Sequence, residues 1–265
     1  TFTADMATGI NPLLGSAVDA AIDGIAGAVL PGLPATDILK SLFDISDDYG
    51  TIRNVTFKGV SFGASGVDMF VGLGDPNFDR PLSQQSDLVG FGLQNLDLAL
   101  GSFKADLPEW LGAQSVTSLM VHADELGVYG LGDVLRIIGS DIDVAYNSGG
   151  QTALGPLMRA MPVYSSIRNS DGTRGLRIAT GGDPVLLDLE GNEFMGLDIG
   201  LADIAVADFL FLRGSLAFRK GDIFNVAVDA GGLAPLLEQI GEATDTVLNP
   251  FPLQVSAMTL GGANL

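Results

Sequence analysis

The sequence predicts a mainly β fold, in which long antiparallel strands form a sandwich- or wrap-like unit with a few packed helices near both ends. Large apolar residues alternate with small or acidic residues through long stretches, which is the two-residue period of a β-strand. Glycine, at 36 of 265 residues, separates these stretches and suits tight turns and close strand packing. Apolar stripes at helical spacing occur near the two ends of the chain.

The changes in periodicity divide the chain into three parts. Residues 1–54 are predicted to hold an extended segment and helices, residues 55–230 a β-rich repeat core, and residues 231–265 a helix and a strand that restart the repeat. The 265 residues are enough for one large β-domain or two small ones, with an ample core.

Helices are predicted at 13–29, 35–43 and 235–247. Asn11-Pro12 supplies a cap and a first turn for the first of them, and a proline also opens the last. The apolar stripe of each helix faces one side, so we expect the helices to pack against a sheet.

The longest predicted strand runs from Gly196 to Lys220, with one bulky face and one small or acidic face. The alternation slips once near Ala202–Asp203, which predicts a bulge. Phe209 and Phe211 alternate with two leucines, so this part is expected to be buried on both sides. Residues 150–162 are expected to form a loop with one helical turn, and 169–172 a hairpin turn. Strands are also predicted at 52–62, 67–73, 88–103, 115–122, 125–129, 134–146, 163–168, 173–179, 185–190, 222–229 and 253–260.

Composition excludes several classes of function. The net charge of −19 argues against nucleic acid or an anionic membrane as partner. The absence of cysteine excludes disulfides and Cys-ligated metals. No apolar run approaches the roughly 18 residues of a membrane-spanning helix, so we expect none. No signal peptide is visible at Thr1 and the chain lacks an initiator methionine, so we expect a processed product or a segment of a longer protein.

The two ends of the chain share a pattern. Asn11-Pro12-Leu13-Leu14 resembles Ala234-Pro235-Leu236-Leu237, and Val60-Ser61-Phe62-Gly63-Ala64 resembles Met258-Thr259-Leu260-Gly261-Gly262. A chain that begins its own pattern again predicts a little more than one unit of a tandem array. Chance similarity of short Gly-rich segments is the alternative.

Several Gly-rich phrases recur between residues 60 and 220. They are Phe70-Val71-Gly72-Leu73-Gly74, Val89-Gly90-Phe91-Gly92-Leu93, Leu96-Asp97-Leu98-Ala99-Leu100, Leu126-Gly127-Val128-Tyr129-Gly130-Leu131, Gly139-Ser140-Asp141-Ile142-Asp143-Val144 and Phe211-Leu212-Arg213-Gly214-Ser215-Leu216-Ala217-Phe218. In order and spacing these phrases resemble the long repeats of giant bacterial surface proteins, which are extracellular chains of many β-rich units. The resemblance implies an extracellular, structural or adhesive role and carries no catalytic residues.

Calcium is the one cofactor that the sequence suggests. Such surface proteins often hold an Asp-rich loop between their first two strand motifs, and here Asp75, Asn77 and Asp79 alternate as the oxygen ligands of a Ca²⁺ loop do. Arg80 stands where such a loop has Gly, so a degenerate site or an Asx-rich turn is the alternative. Asp141 and Asp143 share a strand face and are a second candidate, against the alternative of a solvated acidic face.

No enzymatic activity is expected. His122 is the only histidine, and it could pair with Asp124 as a base, but no nucleophile motif accompanies it. A structural role for His122 is therefore favoured.

The sequence favours a structural repeat unit of an extracellular filament or cell-surface fibre, which assembles head to tail with its own copies. The predicted exchange elements are the two terminal segments, because unpaired strands pair readily with a neighbour. Their residues are Thr1, Phe2, Thr3, Val255, Met258 and Leu260.

The alternative is a calcium-dependent adhesin or a hydrophobic-ligand (lipid) binding module that uses the bulky faces of 88–103 and 196–220. Exposed apolar grooves are uncommon on monomers, so we expect the bulky residues of these strands to be core, covered by the helix at 13–29 or by a facing sheet. These residues are Leu96, Leu98, Leu100, Leu197, Ile199 and Leu201.

Overall fold

The computed structural model describes residues 1–9, 50–109, 111–132, 134–153, 155–228 and 251–263. The predicted helices at 13–29, 35–43 and 235–247 lie outside these residues. Within them the chain is mainly β, as predicted. No helix in this described part is long and apolar enough to cross a membrane.

The described strands are mostly long, and two 3₁₀ turns, Leu82–Gln84 and Tyr164–Ser166, lie between them. The strands are β1 Phe2–Ala7, β2 Thr51–Leu73, β3 Val89–Ala105, β4 Val116–Tyr129, β5 Leu135–Gly149, β6 Gln151–Thr152, β7 Gly155–Arg159, β8 Met161–Val163, β9 Leu176–Ile178, β10 Val185–Leu187, β11 Phe194–Val206, β12 Leu210–Val228 and β13 Phe251–Ala263.

One nine-stranded antiparallel sheet joins the three predicted parts of the chain. Its order is β13-β12-β11-β5-β4-β3-β2-β1-β8, so β2 to β5 and β11 to β13 follow one another as meanders. The predicted boundary after residue 54 falls inside β2, and β12 pairs with β13 across the boundary near 230. Two small two-stranded sheets, β9 with β10 and β6 with β7, accompany the large one.

The register gives the middle of the large sheet two different faces. One row across six strands consists of Leu98, Val121, Val144, Leu197, Phe218 and Leu260, each opposite the next. The sequence neighbours of these residues form a polar row on the other side of the sheet. The row consists of Asp97 on β3, His122 on β4, Asp143 on β5 and Asp198 on β11. Since successive side chains of a strand point to opposite faces, we call these the apolar face and the acidic face.

Two buried clusters cover opposite ends of this sheet. On the acidic side, at the end where β2 begins, Phe57 and Phe103 pack with Tyr164, and the ring of Phe2 stacks 5.3 Å from that of Phe57. On the apolar side, at the other end, Tyr129 packs with Leu82 and Leu88 from the connection between β2 and β3. The middle of the sheet lies between these clusters.

The prediction of one long strand from 196 to 220 was wrong. A hairpin turn interrupts it, in which Ala207 has a φ of 42° and the Phe209 amide donates to the Val206 carbonyl at 3.0 Å. Phe209 and Phe211 are 91% and 70% exposed, so the expected burial on both sides was also wrong. The bulge is confirmed slightly earlier, where the register with β12 shifts between Ile199 and Ala202.

Other strand boundaries differ from the predicted ones, because backbone pairing continues through positions where the apolar alternation weakens. β2 and β4 each run unbroken through a predicted gap, and β2 absorbs its change of phase in register shifts between Ala64 and Met69. In place of the loop with a helical turn predicted over 150–162, the described residues there form the short strands β6, β7 and β8. β6 pairs with β7, and β8 pairs with β1. The predicted turn at 169–172 is present, with the Gly172 amide donating to the Asn169 carbonyl at 3.0 Å.

Candidate functional site

The acidic face carries a compact polar cluster at the centre of the sheet. Asp97, His122 and Asp143 lie directly opposite one another on β3, β4 and β5, and Asp198 follows on β11. Directly opposite side chains in an antiparallel sheet stand about 5 Å apart, so three carboxylates and one imidazole form a ladder. Like charges in such positions repel one another. His122 lies between Asp97 and Asp143, and Arg219 Nη2 lies 3.3 Å from Asp198 Oδ2.

His122 makes two contacts with carboxylates. Its Nδ1 lies 2.9 Å from Asp143 Oδ1, and its Nε2 lies 3.3 Å from Asp124 Oδ1. These carboxylates raise the pKa of His122 above its usual value, mainly through the hydrogen bond with Asp143, while partial burial acts in the opposite direction. In the protonated form both ring nitrogens donate, which satisfies both carboxylates at once.

A second row of polar side chains lies beside the ladder. The Asn95 side-chain amide donates to Asp124 Oδ2 at 3.0 Å, and the Asn95 backbone amide donates to Asp68 Oδ1 at 2.8 Å. Asn95 and Asp141 have φ values of 51° and 56°, which Asn and Asp tolerate better than most residues. These contacts tie strands β2, β3 and β4 together on the acidic face.

The geometry brings the predicted pair Asp141 and Asp143 together with His122. One potential ligand atom from each of the three lies within 4.8 Å of the others. Sequence reasoning considered His122 with Asp124 but missed its partnership with Asp143, which depends on the register between β4 and β5. A mixed nitrogen and oxygen set suits a divalent transition ion better than Ca²⁺, and a metal would have to displace the proton that the carboxylates favour on His122.

The predicted calcium loop is held by amide side chains. Asn77 Oδ1 accepts from the Asp79 amide at 2.9 Å, which is an Asx turn. Gln85 exchanges hydrogen bonds with the Asn77 backbone at 2.9 and 2.8 Å, and Gln94 donates to the Phe78 carbonyl at 2.5 Å. Asp75 is exposed at the start of this loop. The arrangement matches the Asx-rich turn that the sequence left open as the alternative.

The predicted assembly residues occupy two different environments. β1 pairs with β2 on one side and with β8 on the other, so its backbone has partners within the chain. Phe2 packs in the core beside Phe57, whereas Thr1 and Thr3 are exposed. The segment Thr1–Gly9 is therefore not an open edge of the sheet.

β13 lies at one edge of the sheet. Within the described residues it pairs with β12 alone, with Val255 opposite Phe224, and no charged residue occurs along its length. Met258 and Leu260 are 70% and 81% exposed. The opposite edge is β8, which has three residues and includes Pro162.

The bulky residues expected to be core lie on the apolar face, except Leu201, which lies within the register irregularity after Ile199. Leu96, Leu98, Leu197 and Ile199 are half-buried. Leu100 and Leu201 are 38% and 37% exposed, so the expectation of a covered core was wrong for these two.

Comparison of the chain with protein-family models, with curated proteins and with solved structures gives no match. Three features of the described residues bear on function: the acidic ladder, the apolar face and the β13 edge.

Proposed function

We propose that the protein is a structural unit that assembles with copies of itself through the β13 edge, as part of an extracellular filament or cell-surface fibre. The observation that carries the proposal is a 13-residue edge strand, Phe251–Ala263, without a charged residue. An exposed strand edge offers unpaired N–H and C=O groups to a neighbouring chain.

The asymmetry of the two edges supports β13 as the contact. Natural sheets blunt their edges with charged residues, proline or very short strands. β8 has two of these devices, since it is three residues long and contains Pro162. β13 has one proline, Pro252, at its beginning and none from Leu253 to Ala263. β13 of one copy can therefore pair antiparallel with β13 of another around a two-fold axis.

The charge distribution is compatible with this role. A net charge of −19 disfavours non-specific association, while the uncharged β13 edge leaves one place where two copies can approach. The acidic composition also fits an extracellular protein that charge keeps soluble.

Electron microscopy and sedimentation of the full chain test the proposal, with Gly261→Lys as the edge variant. A side chain at Gly261 would meet open space, so the chain should still fold, and the lysine adds an edge charge on the acidic side of β13. We expect the protein concentration needed for assembly to rise at least tenfold, because each copy then brings an added lysine charge into the paired edges.

Gly181→Lys is the matched control, because a side chain at this exposed glycine also meets open space and the position lies in a loop away from the edge. It should assemble as the parent chain does. A parent chain that stays monomeric at high concentration, or a Gly261→Lys chain that assembles normally, would refute the edge contact. Loss of assembly on deleting Thr1–Gly9 alone would favour head-to-tail exchange instead.

A further inference from the structure

We infer that the apolar face is a second self-association surface, on which the apolar faces of two copies pack against each other as the two layers of a sandwich. The inference rests on the proposed self-assembly for its partner but uses a different surface from the β13 edge. Variants of the face and of the edge therefore separate the two contacts.

Three adjacent rows make this face apolar across seven strands, from β2 to β13. The central row contains Leu98, Val121, Val144, Leu197, Phe218 and Leu260. The rows that flank the central row also consist of apolar residues, with two exceptions. One row contains Gly262 on β13, and the other contains Lys220 on β12. Lys220 is the one charged side chain in the three rows, although the chain holds 32 acidic residues.

The size of the face fits a specific interface between two sheets. Strands lie about 4.8 Å apart and residues of one face about 6.8 Å apart along a strand, so seven strands and three rows cover roughly 700 Å². Two copies would then bury about 1,400 Å², within the range of about 1,200–2,000 Å² for stable protein interfaces. Aligned sheets pack about 10 Å apart through interdigitating side chains of this kind.

The charges favour a second copy as the occupant. In a two-fold pair the same patch meets itself, and the acidic ladders with Asp97, Asp143 and Asp198 point outward on opposite sides. The carboxylates of the two copies are then separated by both sheets. A small apolar ligand would instead need a concave apolar pocket, whereas the cavity of about 400 Å³ near β5 and β11 is lined partly by Asp141, Asp143 and Asp198.

Two different two-fold contacts on one chain have a structural consequence. The β13 contact joins two copies edge to edge, and the face contact joins each of them to a further copy. Where the two axes do not intersect, the combination extends into a ribbon of two layered sheets, whereas intersecting axes give a closed assembly. A single two-fold contact would stop at a dimer.

Val144→Glu tests the face contact in the Gly261→Lys background, at protein concentrations below those at which the weakened edge contact forms. Val144 is at the middle of the central row, and a carboxylate there would have to be buried without a partner. We expect sedimentation equilibrium to give twice the 27.4 kDa chain mass for Gly261→Lys alone and at least a 100-fold weaker dimer with Val144→Glu added.

Ala145→Glu is the matched control, because it adds the same charge at the next residue, which points to the acidic face. Its dimer constant should stay within about threefold of the parent value. An equal loss of dimer in both variants would overturn the inference, and so would a Gly261→Lys chain that is monomeric throughout.

Single-cysteine variants keep the test decisive if Val144→Glu does not fold, since the chain has no cysteine of its own. In the Gly261→Lys background, we expect maleimide to label Val144→Cys at least tenfold more slowly than Ala145→Cys. We also expect this protection to disappear on dilution below the dimer dissociation constant.

Protection of Val144→Cys that persists in the monomer means that the same chain covers the face. Fast labelling means that the face is open, and protection lost only after lipid extraction means a lipid occupant; each of these results overturns the inference.

Discussion

At the scale of single residues, His122 couples the acidic ladder to pH. Asp97 from β3, Asp143 from β5 and Asp124 from its own strand surround it, and the pKa of His122 is raised in the folded chain. Protonated His122 therefore stabilises the fold below about pH 6.5, and this contribution is lost as the pH rises through the higher pKa of the folded state. The ring is partly exposed, so we expect less than about 1 kcal/mol in the free energy of unfolding.

Because His122 is the only histidine, its imidazole signal in an NMR titration is unambiguous. We expect a midpoint above 6.5 and a larger fall for Asp143→Asn than for Asp124→Asn, since the hydrogen bond with Asp143 is the main cause of the shift. Urea unfolding at pH 6 and pH 8 should show a stability difference that His122→Gln removes. A midpoint at or below 6.5 in the parent chain would contradict this account.

At the scale of elements, the β11–β12 hairpin shows what local sequence leaves undetermined. Ala207-Asp208 contains neither Gly nor Pro, and strong alternation continues on both sides, so the pattern favours one long strand. The turn depends instead on the pairing of Val206 with Leu210, from which β12 runs antiparallel along β11. The two-residue period assigns side chains to faces but does not report where a strand turns back on itself, so the alternation leaves this local pairing unmarked.

The same turn yields a prediction about stability. Ala207 has a φ of 42°, a region in which a side chain costs energy and glycine does not. We expect Ala207→Gly to raise the free energy of unfolding by about 0.5–1 kcal/mol, because relief of this strain exceeds the entropy gained by the unfolded chain. Ala205→Gly, within β11, is the control and should lower it. Urea denaturation measures both, and a loss of stability in Ala207→Gly would show that the turn is unstrained.

At the scale of the whole molecule, the faces were predictable and their arrangement was not. Alternation at Leu96–Leu100 and at Asp141–Val144 predicts apolar and acidic faces correctly, because strand geometry alone assigns side chains to sides. The position of β1 inside the sheet, and the meeting of His122 with Asp143, depend on strand order and register. A terminal segment and a lone histidine carry no sequence signal for either.

Separation of charge from the apolar face also sets how assembly should respond to salt. The chain carries −19, and face-to-face pairing keeps the two acidic ladders apart but does not remove their repulsion. The Debye length falls from about 30 Å at 0.01 M to about 8 Å at 0.15 M salt. The repulsion between ladders on opposite sides of two layered sheets should therefore be screened only at the higher salt concentration. We expect sedimentation equilibrium of the Gly261→Lys chain to show a dimer at least threefold tighter at about 0.15 M NaCl than at about 0.01 M. Asp97→Asn with Asp198→Asn should reduce this dependence, whereas a dimer that weakens as salt is added would mean that ion pairs, and not the apolar face, hold the copies together.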